Sequence, residues 1–198
     1  MTNNDKPELI ETIEVADAAA ASAVQPFRET APIRALSYFS KMGDQPPLRA
    51  ICGAMIAAGF VTRDPQLVRA GARALASHTL ATFVKNVVKH RVDRTRPRSN
   101  GQSRPEIKPG RNTAKEETSF PSGHSAGAAA VASAFGRHFP NYRTPAYSAG
   151  GLIALAQVPR CSHYPSDVGV GIAIGIASDA AVDLALKAAQ LAGRERQG

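Results

Sequence analysis

The strongest constraint on the fold is a run of small side chains, SGHSAGAAAVASAFG, at residues 122–136. Alanine and glycine at this density favour helices that pack closely, because no long side chain holds neighbouring helices apart. The whole chain has 16 glycines and no tryptophan, so few large side chains compete with such packing. We therefore predict an all-α protein, a bundle of about five to six helices.

The length of 198 residues fits a single domain. Residues 1–30 begin with an acidic segment, which we expect to form a peripheral arm, and residues 31–186 are predicted to form the helical core. A loop rich in proline, glycine and polar residues interrupts that core at residues 97–121. Loops of this length inside a compact domain are usually functional or disordered.

Periodicity and capping residues predict where the helices lie. Asp64 and Ser122 are predicted N-caps, while Pro65 and Pro165 suit first helical turns. The predicted helices cover residues 7–24, 33–42, 48–61, 64–94, 122–135, 146–155 and 164–191.

The formal net charge of +8 is concentrated in one band between residues 85 and 115. Such a band is suited to an anion: a phosphate, a nucleic acid or an anionic lipid surface. Two acids, Asp93 and Glu106, oppose it. Its basic residues are Lys85, Lys89, Arg91, Arg94, Arg96, Arg98, Arg104, Lys108, Arg111 and Lys115.

Hydropathy alone indicates a soluble or weakly embedded bundle. The longest charge-free runs are shorter than the roughly 20 residues that a membrane span needs. Residues 168–186 are long enough, but they contain Asp179 and Asp183. The first residues lack the basic start and apolar core of a secretory signal. The cysteines, Cys52 and Cys161, form no C-x-x-C pair and indicate neither a disulfide framework nor a zinc site.

The first of three short motifs is KHRVDRTRP, in which Lys89 precedes Arg96 by seven residues and Pro97 follows directly. Seven residues is close to two helical turns, so both cations point the same way if the helix persists that far. Pro97 biases Arg96 toward an extended conformation, where helix becomes loop. Taken alone, the motif also fits a solvated basic helix end.

The second motif is PSGH, residues 121–124. Ser122 can cap a helix that begins at Gly123, which directs unpaired N–H groups and the positive end of the helix dipole at a phosphate. Gly123 lets an oxyanion approach the backbone, and His124 beside it can donate a proton. A plain serine N-cap with a nearby histidine is the alternative.

The third motif is PRCSHYPSD, in which His163 and Asp167 are four residues apart. With Pro165 in the first turn, both side chains lie on one face of a helix start. An aspartate that accepts from one imidazole nitrogen fixes the tautomer and leaves the other nitrogen as a nucleophile or base. A structural His–Asp pair is an equally good interpretation of this motif alone.

Together and in this order, the motifs resemble the signature of the type 2 phosphatidic acid phosphatase superfamily: K-x6-R-P, P-S-G-H and R-x5-H-x3-D. The resemblance covers roughly residues 31–186 and implies the helical fold of acid phosphatases and vanadium-dependent haloperoxidases. One position departs from the signature, because Gln157 stands where the third motif has its arginine. The nearest arginine is Arg160, three residues before His163, and two alternatives remain: Arg160 binds the phosphate in place of the missing arginine, or the site has one cation fewer.

The resemblance implies a metal-independent phosphatase without a cofactor, with a single catalytic domain and residues 97–121 as an active-site loop. His163, oriented by Asp167, would attack phosphorus and form a phosphohistidine. His124 would protonate the leaving group and then activate water. The phosphate would be bound by Lys89, Arg96, Ser122, Gly123 and Arg160.

The resemblance also implies a phosphorylated lipid or a small phosphoester as substrate, and a location in the membrane, of the bacterial inner-membrane type. It implies no nucleic-acid partner. Two alternatives remain: an enzyme similar to the vanadium-dependent haloperoxidases, and a non-catalytic basic module that binds anionic lipid or nucleic acid. The oligomeric state and the physiological substrate stay open.

Overall fold

The computed structural model describes residues 7–98 and 105–195, and this part of the chain contains seven α-helices. The all-α prediction is confirmed, and six of the helices, α2 to α7, begin within the predicted core. The helices are α1 (Glu8–Val24), α2 (Ala31–Ser40), α3 (Gln45–Thr62), α4 (Pro65–Lys89), α5 (Gly123–His138), α6 (Arg143–Leu155) and α7 (Pro165–Glu195).

The predicted capping residues define where two of these helices begin. The Asp64 carboxylate accepts the N–H groups of Gln66 and Leu67 at 2.8 and 3.2 Å, and Pro65 is the first residue of α4. Ser122 accepts from the N–H of Ser125 at the start of α5. These contacts satisfy N–H groups that have no carbonyl partner one turn earlier.

A short β-ladder joins the segment predicted as a long loop, residues 97–121, to residues that were predicted to continue α4. Strand β1 (Val92–Asp93) pairs antiparallel with β2 (Lys108–Pro109). Gly110 follows the ladder, and a Cβ atom there would overlap the carboxylate of Asp93. The side chain of Asp93 also accepts the N–H of Asn112 at 2.8 Å, so this acid closes the turn after β2.

The same segment ends α4 earlier than the sequence predicts. Arg94 and Arg96 donate their backbone N–H groups to carbonyl oxygens of residues 117 and 116, both at 2.8 Å, instead of continuing the helix. The prediction that the helix runs to Arg94 is therefore wrong, because these bonds compete with helical ones. Lys89 is the last residue of α4, and Arg96 reaches the same region from an extended segment.

Helix α5, the run of small residues, lies at the centre of the bundle and packs against α4, α6 and α7. Its contact with α7 is made through glycines: a Cβ atom at Gly171 would lie 2.6 Å from the Ser122 carbonyl oxygen. A Cβ atom at Gly175 would overlap the carbonyl of Ala126. The two helices thus meet backbone against backbone, and their first turns lie side by side.

A buried ion network joins α7 to α4 and α5. Asp179, fully buried, accepts from Arg73 at 2.8 Å and from Arg137 at 2.6 Å, and Arg73 also binds Asp183 at 2.6 Å. These are the two acids that interrupt the apolar stretch of α7. Within the described residues, α7 is the one helix long and apolar enough to cross a membrane, by length and composition alone.

Helix α1, in the segment predicted as a peripheral arm, has two buried side chains, and both are acids. Its residues Glu14 and Asp17 are buried, and the Glu14 carboxylate accepts the N–H of Ile107 at 2.7 Å. Asp17 contacts α7 and Arg94, the residue that follows β1, as described below. Two acids of this segment are therefore buried on one face of the helix, where they accept hydrogen bonds.

We expect Gly175→Ala to lower the free energy of unfolding by about 1–3 kcal/mol, because its methyl group would enter the backbone contact between α5 and α7. Gly169→Ala is the matched control on the same helix. Nothing lies within 4 Å of a Cβ atom there, so this change should be neutral or stabilise by up to about 1 kcal/mol. Denaturant unfolding of both variants measures the difference, and equal stabilities would contradict the close contact.

Candidate active site

The centre of the candidate site is a buried histidine–aspartate pair at the start of α7. His163 lies two residues before the helix and Asp167 lies in its first turn, with 3.6 Å between His163 Nδ1 and Asp167 Oδ2. Asp167 is fixed in place by the N–H of Tyr164 at 2.9 Å and by the hydroxyl of Ser119. The carboxylate therefore faces one imidazole nitrogen and leaves the other, Nε2, for chemistry.

Burial lowers the pKa of His163 to about 4, and the positive charges of Arg96 and Lys89 act in the same direction, while Asp167 opposes them. The side chain is only 3% exposed. At neutral pH the imidazole is consequently uncharged, which is the state that a nucleophile or a base requires.

Two predicted cations lie beside this histidine. Arg96 Nη1 lies 3.4 Å from His163 Nε2 and donates to the Ser162 carbonyl at 3.0 Å. Burial, with the nearby charge of Arg98, lowers the pKa of Arg96 to about 10, so its guanidinium stays protonated at neutral pH. Lys89 is close enough for its charge to act on both His163 and Arg96.

The start of α5 lies beside the start of α7 and forms a second side of the candidate site. The backbone N–H of Ser122 donates to the Asp167 carbonyl at 3.1 Å, which ties the first turns of α5 and α7 together. The atoms nearest to a Cβ at Gly123 belong to Lys85, at 3.6 Å or more, so there is room beside the backbone of this glycine. The first N–H groups of α5 and its dipole favour an anion in this place.

Lys85 is a candidate residue that the sequence analysis did not single out. It is 8% exposed, and its Nζ lies 3.8 Å from the Cβ position of Gly123. Within residues 7–98 and 105–195 its ammonium group has no hydrogen-bond or ion-pair partner. The spacing of four residues from Lys89 places both lysines on one face of α4, and this spacing is visible in the sequence.

His124, the second residue of α5, forms an ion pair with an acid that the sequence did not indicate. Its Nε2 lies 2.9 Å from the Oδ1 of Asp44, which precedes α3. Gly43 allows this arrangement, because the imidazole ring lies 3.2 Å from the place where its Cβ would stand. The structure thus contains a second carboxylate–histidine pair, on the wall opposite His163.

Gln157 and Arg160 occupy the region where the third motif departs from its signature. Gln157 is buried, and its Nε2 donates to the Ile153 carbonyl at 3.0 Å while its Oε1 accepts from Arg160 at 3.3 Å. Arg160 also donates to the hydroxyl of Ser40 at 2.5 Å. Its charge acts on Arg96, which places the guanidinium close to the site.

All the predicted site residues thus lie around one end of the bundle, although no contact joins His124 directly to His163 among the interactions described above. The residues that sequence analysis missed are Asp44, Lys85, Arg94 and Ser119. In the described part of the chain, no three His, Cys, Asp or Glu side chains are grouped so as to hold a metal ion.

Residues 70–188 match the PAP2 superfamily. A decaprenylphosphoryl-5-phosphoribose phosphatase of Mycobacterium tuberculosis is 31% identical over 154 residues, which cover 76% of each chain. The lipid A 1-phosphatase of Rhizobium etli is 42% identical over 57 residues, 29% of this chain. The matching segment covers 25% of the length of that relative.

Two solved structures have a similar fold. One is a transmembrane PAP2-type phosphatidylglycerolphosphate phosphatase from Bacillus subtilis, with a TM-score of 0.67, 20% identity and coverage of 87% of this chain and 85% of that one. The other is LpxE of Aquifex aeolicus, with a TM-score of 0.62, 18% identity and coverage of 92% and 98%. Similarity at this level of identity concerns the fold.

We expect the imidazole of His163 to titrate near pH 4 rather than near pH 6.5, with the ¹⁵N shifts of labelled histidine as the measurement. Arg96→Gln removes a positive charge beside the ring, which favours the protonated form, so the pKa of His163 should rise. Arg91→Gln, at an exposed arginine, is the control and should leave it unchanged. A wild-type titration near pH 6.5 would contradict the geometry described above.

Proposed function

We propose, from the premise that this chain belongs to the PAP2 superfamily, that it is a phosphatase that hydrolyses a phosphomonoester or a pyrophosphate. The resemblance drawn from the three motifs is confirmed by that membership. The observation that carries the proposal is the environment of His163, whose Nδ1 faces Asp167 while Nε2 faces the guanidinium of Arg96. A neutral imidazole beside a fixed cation is suited to attack on an anionic phosphoryl group.

The reaction then has two steps. Nε2 of His163 attacks phosphorus, the bond from phosphorus to the leaving oxygen breaks, and a phosphohistidine forms while His124 donates a proton to the leaving alkoxide. In the second step His124 takes a proton from water, the resulting hydroxide attacks phosphorus, and the N–P bond breaks to release phosphate and restore His163. Asp44 lies 2.9 Å from Nε2 of His124 and holds this imidazole in place.

Fixed positive charge stabilises the transition state, in which negative charge spreads over the equatorial phosphoryl oxygens. Lys89 and Arg96 supply charge from the side of His163, and Lys85 supplies it beside Gly123. The backbone N–H groups of Gly123 and His124 contribute the positive end of the helix dipole from the start of α5, whereas the N–H of Ser122 is bonded to the Asp167 carbonyl.

We assign the role of the arginine that is missing at position 157 to Arg160. The amide of Gln157 already donates to the Ile153 carbonyl, and its oxygen accepts from Arg160, so Gln157 orients the arginine. The guanidinium is half-buried and its charge acts on Arg96. Arg160, three residues after position 157, therefore supplies the positive charge that the arginine of the signature would supply.

A phosphorylated lipid is the substrate class that we favour, with the protein bound in or at a membrane of the bacterial inner-membrane type. The relatives act on lipid A and on a decaprenyl-linked sugar phosphate. Large apolar side chains on the outside of α3, α4, α6 and α7 are suited to lipid contact, and 60% or more of each is exposed: Phe60, Val61, Phe83, Leu155 and Leu184. Asp179 and Asp183 both pair with Arg73 inside the bundle, which lowers the free-energy cost of having two acids in a helix that faces lipid.

The basic band is less suited to nucleic acid than its sequence indicates. Lys85, Arg94 and Arg96 are all at most 8% exposed, and Arg94 is paired with acids. A bromide-oxidation assay with added vanadate tests the haloperoxidase alternative, and turnover in that assay without phosphate release would favour it.

We expect His163→Ala to reduce phosphate release by about 10³-fold or more, because no other residue replaces the attacking nitrogen. Phosphate release from dioctanoyl phosphatidate, a long-chain prenyl diphosphate and phenyl phosphate measures the effect and ranks the substrate classes. His138→Ala, at a histidine on the far end of α5, is the control. Circular dichroism checks that both variants fold, and full activity in a folded His163→Ala protein would refute the mechanism.

We expect Arg160→Gln to lower kcat/KM by about 10²-fold, the cost typical of losing one group that binds the developing charge. Arg143→Gln, at an exposed arginine at the opposite end of α6, is the matched control and should have little effect. Unchanged kcat/KM in Arg160→Gln would show that the site works with one cation fewer.

A further inference from the structure

A continuous chain of ion pairs leads from α1 to the centre of the site. Arg94 Nη2 donates to Asp17 Oδ2 at 2.6 Å, and Arg94 Nη1 donates to Asp167 Oδ1 at 2.5 Å. Asp17 is 3% exposed, Arg94 is 1% exposed and Asp167 is 0% exposed. One guanidinium thus bridges an acid of the N-terminal helix and the acid that faces His163.

The guanidinium of Arg94 is held on all sides. Its Nε donates to the Pro105 carbonyl at 3.0 Å, and Nη1 also donates to Ser166 Oγ at 2.8 Å. Its central carbon lies 4.3 Å from the ring centroid of Tyr164. These partners fix the guanidinium of Arg94 in one position, so a displacement of Asp17 would also displace Arg94 and Asp167.

Asp17 is fixed to α7 as firmly as to Arg94. Its Oδ1 accepts the backbone N–H of Ser166 at 3.1 Å, and its Oδ2 accepts the hydroxyl of the same residue at 2.5 Å. Most of the other side chains of α1 are exposed or half-buried. The helix is consequently docked through a few buried acids, and Asp17 is the one that reaches the catalytic pair.

The charges give this contact a consequence for the reaction. Arg94 is shared by two carboxylates, so one net negative charge remains on the three residues, and Asp167 keeps the negative charge that faces Nδ1 of His163 at 3.6 Å. Without the carboxylate of Asp17, the guanidinium would neutralise Asp167 alone. The aspartate would then hold the imidazole less tightly and support positive charge on it less well.

We propose that Asp17 is a positioning residue of this phosphatase, which acts through Arg94 and Asp167 to orient His163 for attack. The proposal rests on the proposed function for its kinetic consequence, but the placement of His163 can be measured without turnover. Asp17 has no contact with the phosphate site itself, so it affects the chemical step rather than substrate binding.

The test compares Asp17→Asn with Glu11→Gln, a change at an exposed acid of the same helix, in the full-length protein. We expect kcat of Asp17→Asn to fall about 10- to 100-fold, the range typical of residues that orient a functional group from one contact away. The Ki of inorganic phosphate as a competitive inhibitor should stay within about twofold of wild type, since the cations that bind it are intact. Glu11→Gln should match wild type in both quantities.

The second measurement is the ¹H and ¹⁵N signal of the His163 imidazole, which should shift in Asp17→Asn and stay unchanged in Glu11→Gln. An unchanged signal together with wild-type kcat would overturn the proposal. A loss of phosphate affinity as large as the loss of kcat would also overturn it, because it would mean general collapse of the site. A wild-type protein that releases no phosphate from any substrate would refute the proposed function, while the imidazole signal would still decide whether Asp17 positions His163.

Discussion

The contact between the backbones of α5 and α7 is the constraint on which the rest of the structure depends. Gly171 and Gly175 allow it, and it places the first turn of α5 beside the first turn of α7. The helix dipole at Ser122 and the pair of His163 with Asp167 are thereby brought to one end of the bundle, where the N–H of Ser122 bonds the Asp167 carbonyl. Catalytic geometry in this protein is thus a consequence of small-residue packing.

Helix α7 carries buried acids at two levels, and each level is neutralised by arginine. Near its start Asp167 pairs with Arg94, and three turns further on Asp179 pairs with Arg73 and Arg137. The second group holds α4, α5 and α7 together and has no contact with the phosphate site. Removing one member of such a network is costly because a buried charge is left without its partner. The register of α7 against its neighbours is therefore specified along most of its length.

Helix periodicity and N-caps are local patterns and predicted most of the helices. The three motifs are local as well, and the residues that they propose for the site lie around one end of the bundle. Asp64 and Ser122 begin helices as expected. The end of α4 was not predictable, since it depends on the hydrogen bonds that Arg94 and Arg96 form with residues twenty or more positions later. The spacing of four residues between Lys85 and Lys89 can be read from the sequence. The contact of Asp44 with His124 cannot, because it forms only when α3 packs beside α5.

The contact of α1 with Arg94 also bears on the order in which the protein is assembled. Asp17 is 77 residues from Arg94 and 149 residues from Ser166, so both partners are synthesised long after the helix that binds them. The entropy of closing loops this long opposes early docking, which makes α1 a late element in folding despite being early in the chain. A nascent chain whose α7 has not yet been made cannot form the contact between Asp17 and Ser166, so the side chain of His163 reaches its final environment only when α7 is in place.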